Sequence, residues 1–385
     1  MINMICEKKD CSGCFACYNV CPRNAIEMKE DEFGYIYPVI DKKKCINCML
    51  CHKTCPANNT NTSFSKSMDV FALYNKNNLK RLESSSGGAA SLFYEYILDN
   101  GGIAYGVSNL FSDNFSFIRV DRKEDIMKLK GSKYVHCYIN DTYKLILDDL
   151  KNNKKVIFIG TPCQVDGLKK FLKKDYLNLY TIDIVCHGVP SQKLLFDELK
   201  LQRIDFSKVN KIFFRSSNLF ALKILDFDNK VLFEKQADKI PYYKNFLQGN
   251  TYRENCYSCR YARKERISDV TIGDFWGLSK DSSIYDNESD GVSLVMVNTN
   301  KGKELFNNIR KEAKYEKRNI EEAAKKNEQL NRPAFKNKKY YIFRDNYKKI
   351  GYKKTNNKML SFKEKIVLFI KNNHILYNLL KKIKQ

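Results

Sequence analysis

The sequence has no apolar run approaching the roughly 20 residues that cross a bilayer; its longest stretches are pieces such as "IVLFI" (366–370). Its opening, "MINMICEKKDC", lacks the apolar core of a secretory signal. These absences argue against membrane insertion and export. The expected compartment is the reducing cytosol, where 14 cysteines serve metal or redox chemistry rather than structural disulfides. Acidic residues are few beside basic ones: 44 Asp and Glu against 68 Lys and Arg, for a net charge of +24. The excess is uneven, because residues 330–385 hold 16 Lys or Arg against Asp345 and Glu364, or +14 of the total. A solvated lysine-rich surface explains such a run, and so does attraction to an anionic membrane or an acidic protein. Tyr340, Tyr341, Tyr347 and Tyr352 are interleaved with these lysines, as in some nucleic-acid surfaces. No recognisable nucleic-acid motif accompanies them, and that partner is not expected. The hydrophobic content, 43%, is that of a globular protein long enough for two or three domains.

The cysteines that are present follow a pattern. "CSGCFACYNVCP" (11–22) and "CINCMLCHKTCP" (45–56) are two copies of C-x2-C-x2-C-x3-C-P. This is the internal repeat of a bacterial two-cluster ferredoxin, in which three closely spaced thiolates wrap one cubane and the fourth cysteine reaches the other. Cys11, Cys14, Cys17 and Cys55 are thereby assigned to one [4Fe-4S] centre, and Cys45, Cys48, Cys51 and Cys21 to a second. Eight cysteines in this doubled arrangement exceed what one tetrahedral zinc site uses. Between the repeats, residues 25–45 supply short strands around a turn at Gly34. Cys6 lies outside both motifs and reads as an ordinary free thiol. Residues 58–67, "NNTNTSFSKS", read as a linker.

Beyond the linker the pattern turns to mixed α/β. "VFALY" (70–74), "IAYGV" (103–107), "VIFIG" (156–160) and "LYTIDIV" (179–185) read as strands, and 88–100 and 142–155 as helices. Strand–helix alternation of this kind implies a largely parallel sheet with active groups at the strands' C-terminal ends, where Cys163 and Cys186 fall. "NCYSCR" makes Cys256 and Cys259 a C-x2-C pair able to grip a metal centre, with the two strand-end cysteines as the natural further ligands. A third cluster, a four-cysteine zinc site, a redox-active pair and coincidence all remain open on spacing alone.

Six segments in order carry a family resemblance: "SSSGG" (84–88), "GSKYV" (131–135), "GTPCQVDGL" (160–168), "DIVCHGVPS" (183–191), "CYSCRYARKERISDVTIGDFWG" (256–277) and "GVSLVMVNT" (291–299). Over about 83–320 the chain resembles the beta subunit family of coenzyme F-420 hydrogenases and dehydrogenases, with a two-cluster ferredoxin fused in front. The resemblance implies an α+β and α/β protein: a small ferredoxin-like two-cluster domain (1–60), a linker and first strand (61–82), and a larger mixed α/β flavin and iron–sulfur oxidoreductase domain (83–330). The last comprises parts of about 83–158 and 160–320, and a basic tail (331–385) follows. It also implies a third [4Fe-4S] cluster on Cys163, Cys186, Cys256 and Cys259, leaving Cys137 a structural thiol, and a bound FAD. A helix N-terminus at Cys163 would favour thiolate and cluster.

For the flavin, Ser85, Ser86, Gly87 and Gly88 precede a helix and could hold a pyrophosphate, although an N-cap with a tight turn explains them equally well. Gly131, Ser132 and Lys133 would form a second loop, and Thr161, Pro162 and Gln164 the wall around Cys163. His187 and Lys133 are the catalytic candidates, with a histidine packed in a turn as the plainer reading of the first. Asp274 and Trp276 either line the site or belong to the core.

The function implied is an iron–sulfur flavoprotein oxidoreductase acting on an unidentified organic substrate, with a redox partner or ferredoxin-type donor. The alternative is an electron-transfer subunit serving a separate catalytic partner. Relatives with fused ferredoxins are often encoded beside surface-polysaccharide genes, which implies a sugar- or lipid-linked substrate. In the tail, Phe362, Ile366, Phe369, Leu376, Leu380 and Ile383 form one stripe of a helix edged by lysines. It would either pack on the catalytic domain or rest peripherally on the inner face of the membrane.

Overall fold

The computed structural model describes residues 4–216, 219–285, 291–360, 364 and 366. The N-terminal segment has two short helices, Ala16–Val20 and Leu50–Thr54, and an antiparallel hairpin of Ile26–Glu30 with Ile36–Ile40. The helices stop where they do because each runs into Cys–Pro. The proline ring forces the preceding residue out of helical geometry, and Cys21 (φ −74°, ψ 112°) and Cys55 (φ −66°, ψ 123°) are extended. At the hairpin turn, Gly34 has φ +78°, and a Cβ there would lie 2.2 Å from the Lys193 Cβ. The hairpin is therefore seated on the large domain, and Tyr35 Oη donates to the Thr251 carbonyl at 2.8 Å.

The large domain is built on an eight-stranded sheet. In spatial order its strands are Ala313–Lys317, Asp69–Asn75, Ser293–Val297, Val270–Asp274, Leu179–Ile184, Val156–Gly160, Ile103–Val107 and Phe117–Val120. The four strands from Val270–Asp274 to Ile103–Val107 are parallel, as the alternation of strands and helices requires. Every residue of Val156–Gly160 is buried, which explains its unbroken apolar run. Val156 and Phe158 face one core, which includes the helices Thr142–Lys151, Pro162–Leu172 and Gln192–Leu201; Ile157 and Ile159 face the other, under Ala89–Asp99 and Asn300–Ile309.

Two features depart from the sequence reading. Both flanks of the sheet are antiparallel, so the sheet is mixed rather than largely parallel. The reason is connective: among the described residues no α-helix separates Val270–Asp274 from Ser293–Val297, and a connection without a crossover helix returns the chain antiparallel. A separate three-stranded antiparallel sheet, Lys211–Ser216, Leu219–Leu225 and Val231–Gln236, has no counterpart in that reading either.

The basic C-terminal segment begins as a helix, Lys338–Met359, bent at Gly351 (φ 76°, ψ 172°). Tyr340, Phe343, Tyr347, Tyr352 and Met359 are buried, and all but Tyr340 belong to the main core. Tyr340 bonds Glu254, Tyr347 bonds Asp197 and Tyr352 bonds Glu198. Three of the four tyrosines that resemble a nucleic-acid surface are thus anchors of the fold, and Tyr341 alone is exposed. Beyond Met359, Lys244 pairs with Glu364 at 3.0 Å. The apolar stripe expected over 362–385 lies outside the described residues except for Ile366. Among the described residues no helix is long and apolar enough to cross a membrane.

Candidate metal centres and cofactor site

Each cysteine loop is wound by an alternation of left-handed residues. Gly13 and Asn47 have φ of 65° and 57°, and Phe15 and Met49 have φ of 61° and 63°, at equivalent positions of the two repeats. Glycine and asparagine enter that region readily, but phenylalanine and methionine do so at a cost of about 1–3 kcal/mol. Strain repeated at matching positions beside ligating residue types is a mark of function.

The loops enclose two cavities. Cys11, Cys14, Cys17 and Cys55 line the first, and Cys21, Cys45, Cys48 and Cys51 the second. The fourth cysteine of each motif therefore joins the other motif's three, because its extended backbone ahead of proline carries the thiol across. Cys11, Cys14, Cys17 and Cys55 are buried, whereas Cys48 is exposed and its three neighbours are half-buried. Cys6 is not a bystander: it lines the first cavity together with Cys11 and Cys55. The Cys6 contact, against the effect of burial and with help from Arg253, holds Cys11 below the ordinary thiol pKa.

A third cavity is lined by Cys163, Cys186, Cys256 and Cys259, together with Ser12, His136, Thr161, Pro162, His187 and Arg266. Cys163 owes its place to local chemistry. After the strand Val156–Gly160, Thr161 and Gln164 form a reciprocal capping box, with Pro162 in the first helical turn. Thr161 Oγ1 lies 3.2 Å from Cys163 Sγ. Cys186 follows the neighbouring strand, and Cys256 and Cys259 come from the turn at Glu254–Ser258 and the residue after it. The first and third cavities adjoin: Ser12 lines both, and Gly167 of the helix Pro162–Leu172 packs on Cys14.

Burial pushes the Cys163 thiol up to about 11 and raises Cys186, Cys256 and Cys259 as well. Four thiols converging where their charged form is penalised suit a cationic metal centre, which supplies the missing countercharge. Among the described residues no three His, Cys, Asp or Glu side chains converge as closely as one ion with metal–sulfur bonds of about 2.3 Å requires.

The flavin candidates fall into three groups. Ser85, Ser86, Gly131 and Ser132 come together: Ser85 Oγ accepts the Ser132 N–H at 2.7 Å, and a Cβ on Gly131 would lie 4.0 Å from Ser85 Oγ. Ser86 Oγ is buried on the side of Asp274, whose charged form it favours. Gly87 and Gly88 have structural reasons to be glycine. A Cβ on Gly87 would lie 2.3 Å from the Leu73 carbonyl, and Gly88 caps the helix Ala89–Asp99 at φ 88°. In the third group the polar atoms are already engaged. Gln164 accepts from the Thr161 N–H at 3.0 Å and donates to the Cys137 carbonyl at 3.0 Å. Lys133 Nζ donates to the Leu129 and Lys130 carbonyls at 3.0 and 2.9 Å, and burial lowers its pKa to about 7. Thr161 serves the capping box.

The site region also holds residues that the sequence does not single out. Arg215 pairs with Asp274 at 2.7 Å and donates to Tyr134 Oη at 2.9 Å, with Phe220 and Trp276 beneath its guanidinium. The strand register shifts between Phe213 and Arg215, so simple alternation could not place that side chain. Burial, then the Arg215 charge, lowers His187 to about 4, so its imidazole is neutral at pH 7. Trp276 is half-buried, its ring stacked on Phe220 with centroids 6.2 Å apart. Arg253 and His136 stand between the first and third cavities: a Cβ on Gly13 would lie 2.7 Å from His136 Cε1 and 3.2 Å from Arg253 Cζ. Only burial distinguishes these two from surface residues, and the sequence does not display it.

Residues 153–323 match the family of the C-terminal part of the coenzyme F420 hydrogenase/dehydrogenase beta subunit, and residues 10–59 match a 4Fe-4S dicluster domain. The chain is 25% identical over 250 residues to a coenzyme F420-dependent sulfite reductase of Methanocaldococcus jannaschii, a match covering 59% of this chain and 35% of the reductase. It thus spans about a third of that relative's length. A chain of the F420-reducing [NiFe] hydrogenase complex from Methanosarcina barkeri aligns with 16% identity and a TM-score of 0.46, covering 69% of this chain and 91% of that one.

Proposed function

With residues 153–323 belonging to the coenzyme F420 hydrogenase/dehydrogenase beta-subunit family and residues 10–59 to the 4Fe-4S dicluster domains, we propose that this chain is an iron–sulfur flavoprotein oxidoreductase acting on an organic substrate. The observation that carries the reading is the set of three cavities, two lined by four cysteines and the first by four and Cys6, one with the exposed Cys48 and two adjoining at Ser12. When bound, three [4Fe-4S] clusters would carry single electrons and FAD would exchange them with the substrate in pairs.

The chain's residues take these parts in the proposal. Cys11, Cys14, Cys17 and Cys55 hold one centre, Cys21, Cys45, Cys48 and Cys51 the second, and Cys163, Cys186, Cys256 and Cys259 the third. The exposed rim at Cys48 admits a redox partner or ferredoxin-type donor. Ser85, Ser86, Gly131 and Ser132 cradle the flavin phosphates, and Lys133, Thr161 and Gln164 fix the backbone around them. The Arg215–Asp274 pair and Trp276 line the substrate side, and neutral His187, in the lining of the third cavity, is the proton-bearing group. Gly87 and Gly88 act by shaping the loop. The substrate is proposed to be sugar- or lipid-linked, on the analogy of ferredoxin-fused relatives, and the basic segment beyond Met359 to rest on the inner face of the membrane.

Anaerobic purification with iron, sulfide and flavin analysis tests the reading, followed by a donor and acceptor screen that includes a deazaflavin. About 12 irons and one FAD per chain are expected. About 8 irons with zinc at Cys256 and Cys259 would remove the third cluster. Turnover of an organic acceptor by the chain alone supports the enzyme. Activity only with artificial dyes would favour an electron-transfer subunit.

A further inference from the structure

Arg253 belongs to none of the motifs from which the centres were read, yet it is wholly buried, with 0% of its surface exposed. Its Nε donates to the Cys11 carbonyl at 2.6 Å, and its Nη2 donates to the Ile36 carbonyl at 2.8 Å and to Cys11 Sγ at 3.4 Å. Its Nη1 is buried without a partner, against the cysteine loop at Gly13. The guanidinium lies over the Tyr37 ring, 4.2 Å from its centroid. Among the described residues no Asp or Glu forms an ion pair with it. Burial opposes its charge, but Cys11, Tyr37 and Cys256 together outweigh that cost, and Cys163 feels the same charge.

A buried cation without a carboxylate is costly unless some other anion answers it. The groups available are thiolates: Cys11 in direct contact, with Cys163 and Cys256 on the far side. A cluster held by four thiolates is anionic, and it becomes more so on gaining an electron. A fixed cation beside it stabilises the reduced state over the oxidised one.

We propose that Arg253 is a positioning residue for electron transfer: it raises the reduction potential of the centre on Cys11, and to a smaller degree that of the adjoining centre on Cys163 and Cys256. The second centre, on Cys21, Cys45, Cys48 and Cys51, shares no contact with it and is unaffected. The inference rests on the cluster assignment proposed above. It gives the junction between ferredoxin segment and large domain a role beyond packing, because one charge biases electrons toward both centres that flank it.

The test is an EPR-monitored redox titration of the full chain, reconstituted anaerobically, as wild type, Arg253→Gln and Arg253→Lys, with iron measured on each. In Arg253→Gln the reduced-to-oxidised ratio of the first centre at fixed poise should fall about tenfold, ~59 mV more negative for a one-electron couple. The third centre should shift the same way by less and the second not at all, and Arg253→Lys should shift less than Arg253→Gln. Unchanged potentials at full iron content overturn the proposal, as does an equal shift of all three centres. If the glutamine variant sheds iron, wild-type protein labelled with 15N-arginine decides. Pulsed EPR of the reduced first centre should show coupling to a guanidinium nitrogen, and its absence overturns the inference. Wild-type protein that binds no iron at Cys11, Cys14, Cys17 and Cys55 would instead remove the cluster assignment, so the two failures are distinguishable.

Discussion

Replacing Gly167 by alanine sets two physical effects against each other. The residue lies inside the helix Pro162–Leu172, where alanine is preferred over glycine by roughly 0.5–1 kcal/mol. Taken alone, that preference makes Gly167→Ala stabilising. The added Cβ, however, would stand 3.0 Å from Cys14 Cβ, 3.1 Å from Cys14 Sγ and 3.0 Å from Tyr143 Oη. Comfortable carbon contacts begin near ~3.5 Å, so several neighbours would have to give at once. Tyr143 is fully buried and its hydroxyl is tied to the Gln164 carbonyl at 2.7 Å. Cys14 sits between left-handed Gly13 and Phe15 and cannot retreat without unwinding its loop. Overpacking of this kind costs about 1–3 kcal/mol, so the net change should be a loss of about 0–2.5 kcal/mol. The displacement falls on a thiol of the first centre, so the iron content should drop from about 12 toward about 8 per chain. Iron analysis and denaturant midpoints on paired preparations measure both. A variant with full iron and a raised midpoint would refute the packing argument and with it the adjacency of the two centres.

Three further outcomes are expected. Cys6→Ser should retain the full iron complement, since four other cysteines already line its cavity, whereas Cys55→Ser should lose about 4 irons; iron loss on Cys6→Ser would make it a ligand. Burial, then the Arg253 charge, lowers His136 to about 3 from an ordinary 6.5, so between those values the unfolded chain binds a proton that the folded chain refuses. Its contribution is complete above pH 6.5 and is lost as the pH falls toward 3; His136→Leu should flatten that slope in denaturant midpoints, and an unchanged slope counts against it. Removing residues 362–385 should abolish pelleting with anionic vesicles while neutral vesicles pellet neither form, and equal, negligible pelleting of both chains would leave only packing for that segment.

Liganding chemistry writes itself into spacing, which is why the two cysteine repeats and their exchanged fourth members can be read from the chain. The strands carrying Cys163 and Cys186 are legible for a related reason: a fully buried parallel strand must be an unbroken apolar run, and a turn after it is all that is needed to place a thiol at its end. Pairing partners are another matter. Asp69–Asn75 is recognisable as a strand, but nothing local tells that its neighbours come from near the other end of the chain and run antiparallel to it. Local reasons also compete with assigned roles. Gln164 reads as a cofactor contact and completes a capping box; Gly87 reads as a phosphate contact and lies against backbone. Arg253 and His136 are silent because their importance rests on burial, and an arginine three residues before a cysteine resembles any surface arginine.

Ferredoxin segments invite treatment as cartridges, to be exchanged between enzymes at a linker. The seating of this one forbids a simple exchange. Gly34 is pressed to Lys193, Tyr35 is bonded to Thr251, and Arg253 closes on the Cys11 and Ile36 carbonyls. A foreign insert over 1–60 with a bulky residue at the place of Gly13 or Gly34 would be held off the large domain, and a host arginine would be left inside it with nothing to answer its charge. Compatible donors are those that supply both small residues and a carbonyl pair in register, so the socket, more than the linker, decides which grafts take.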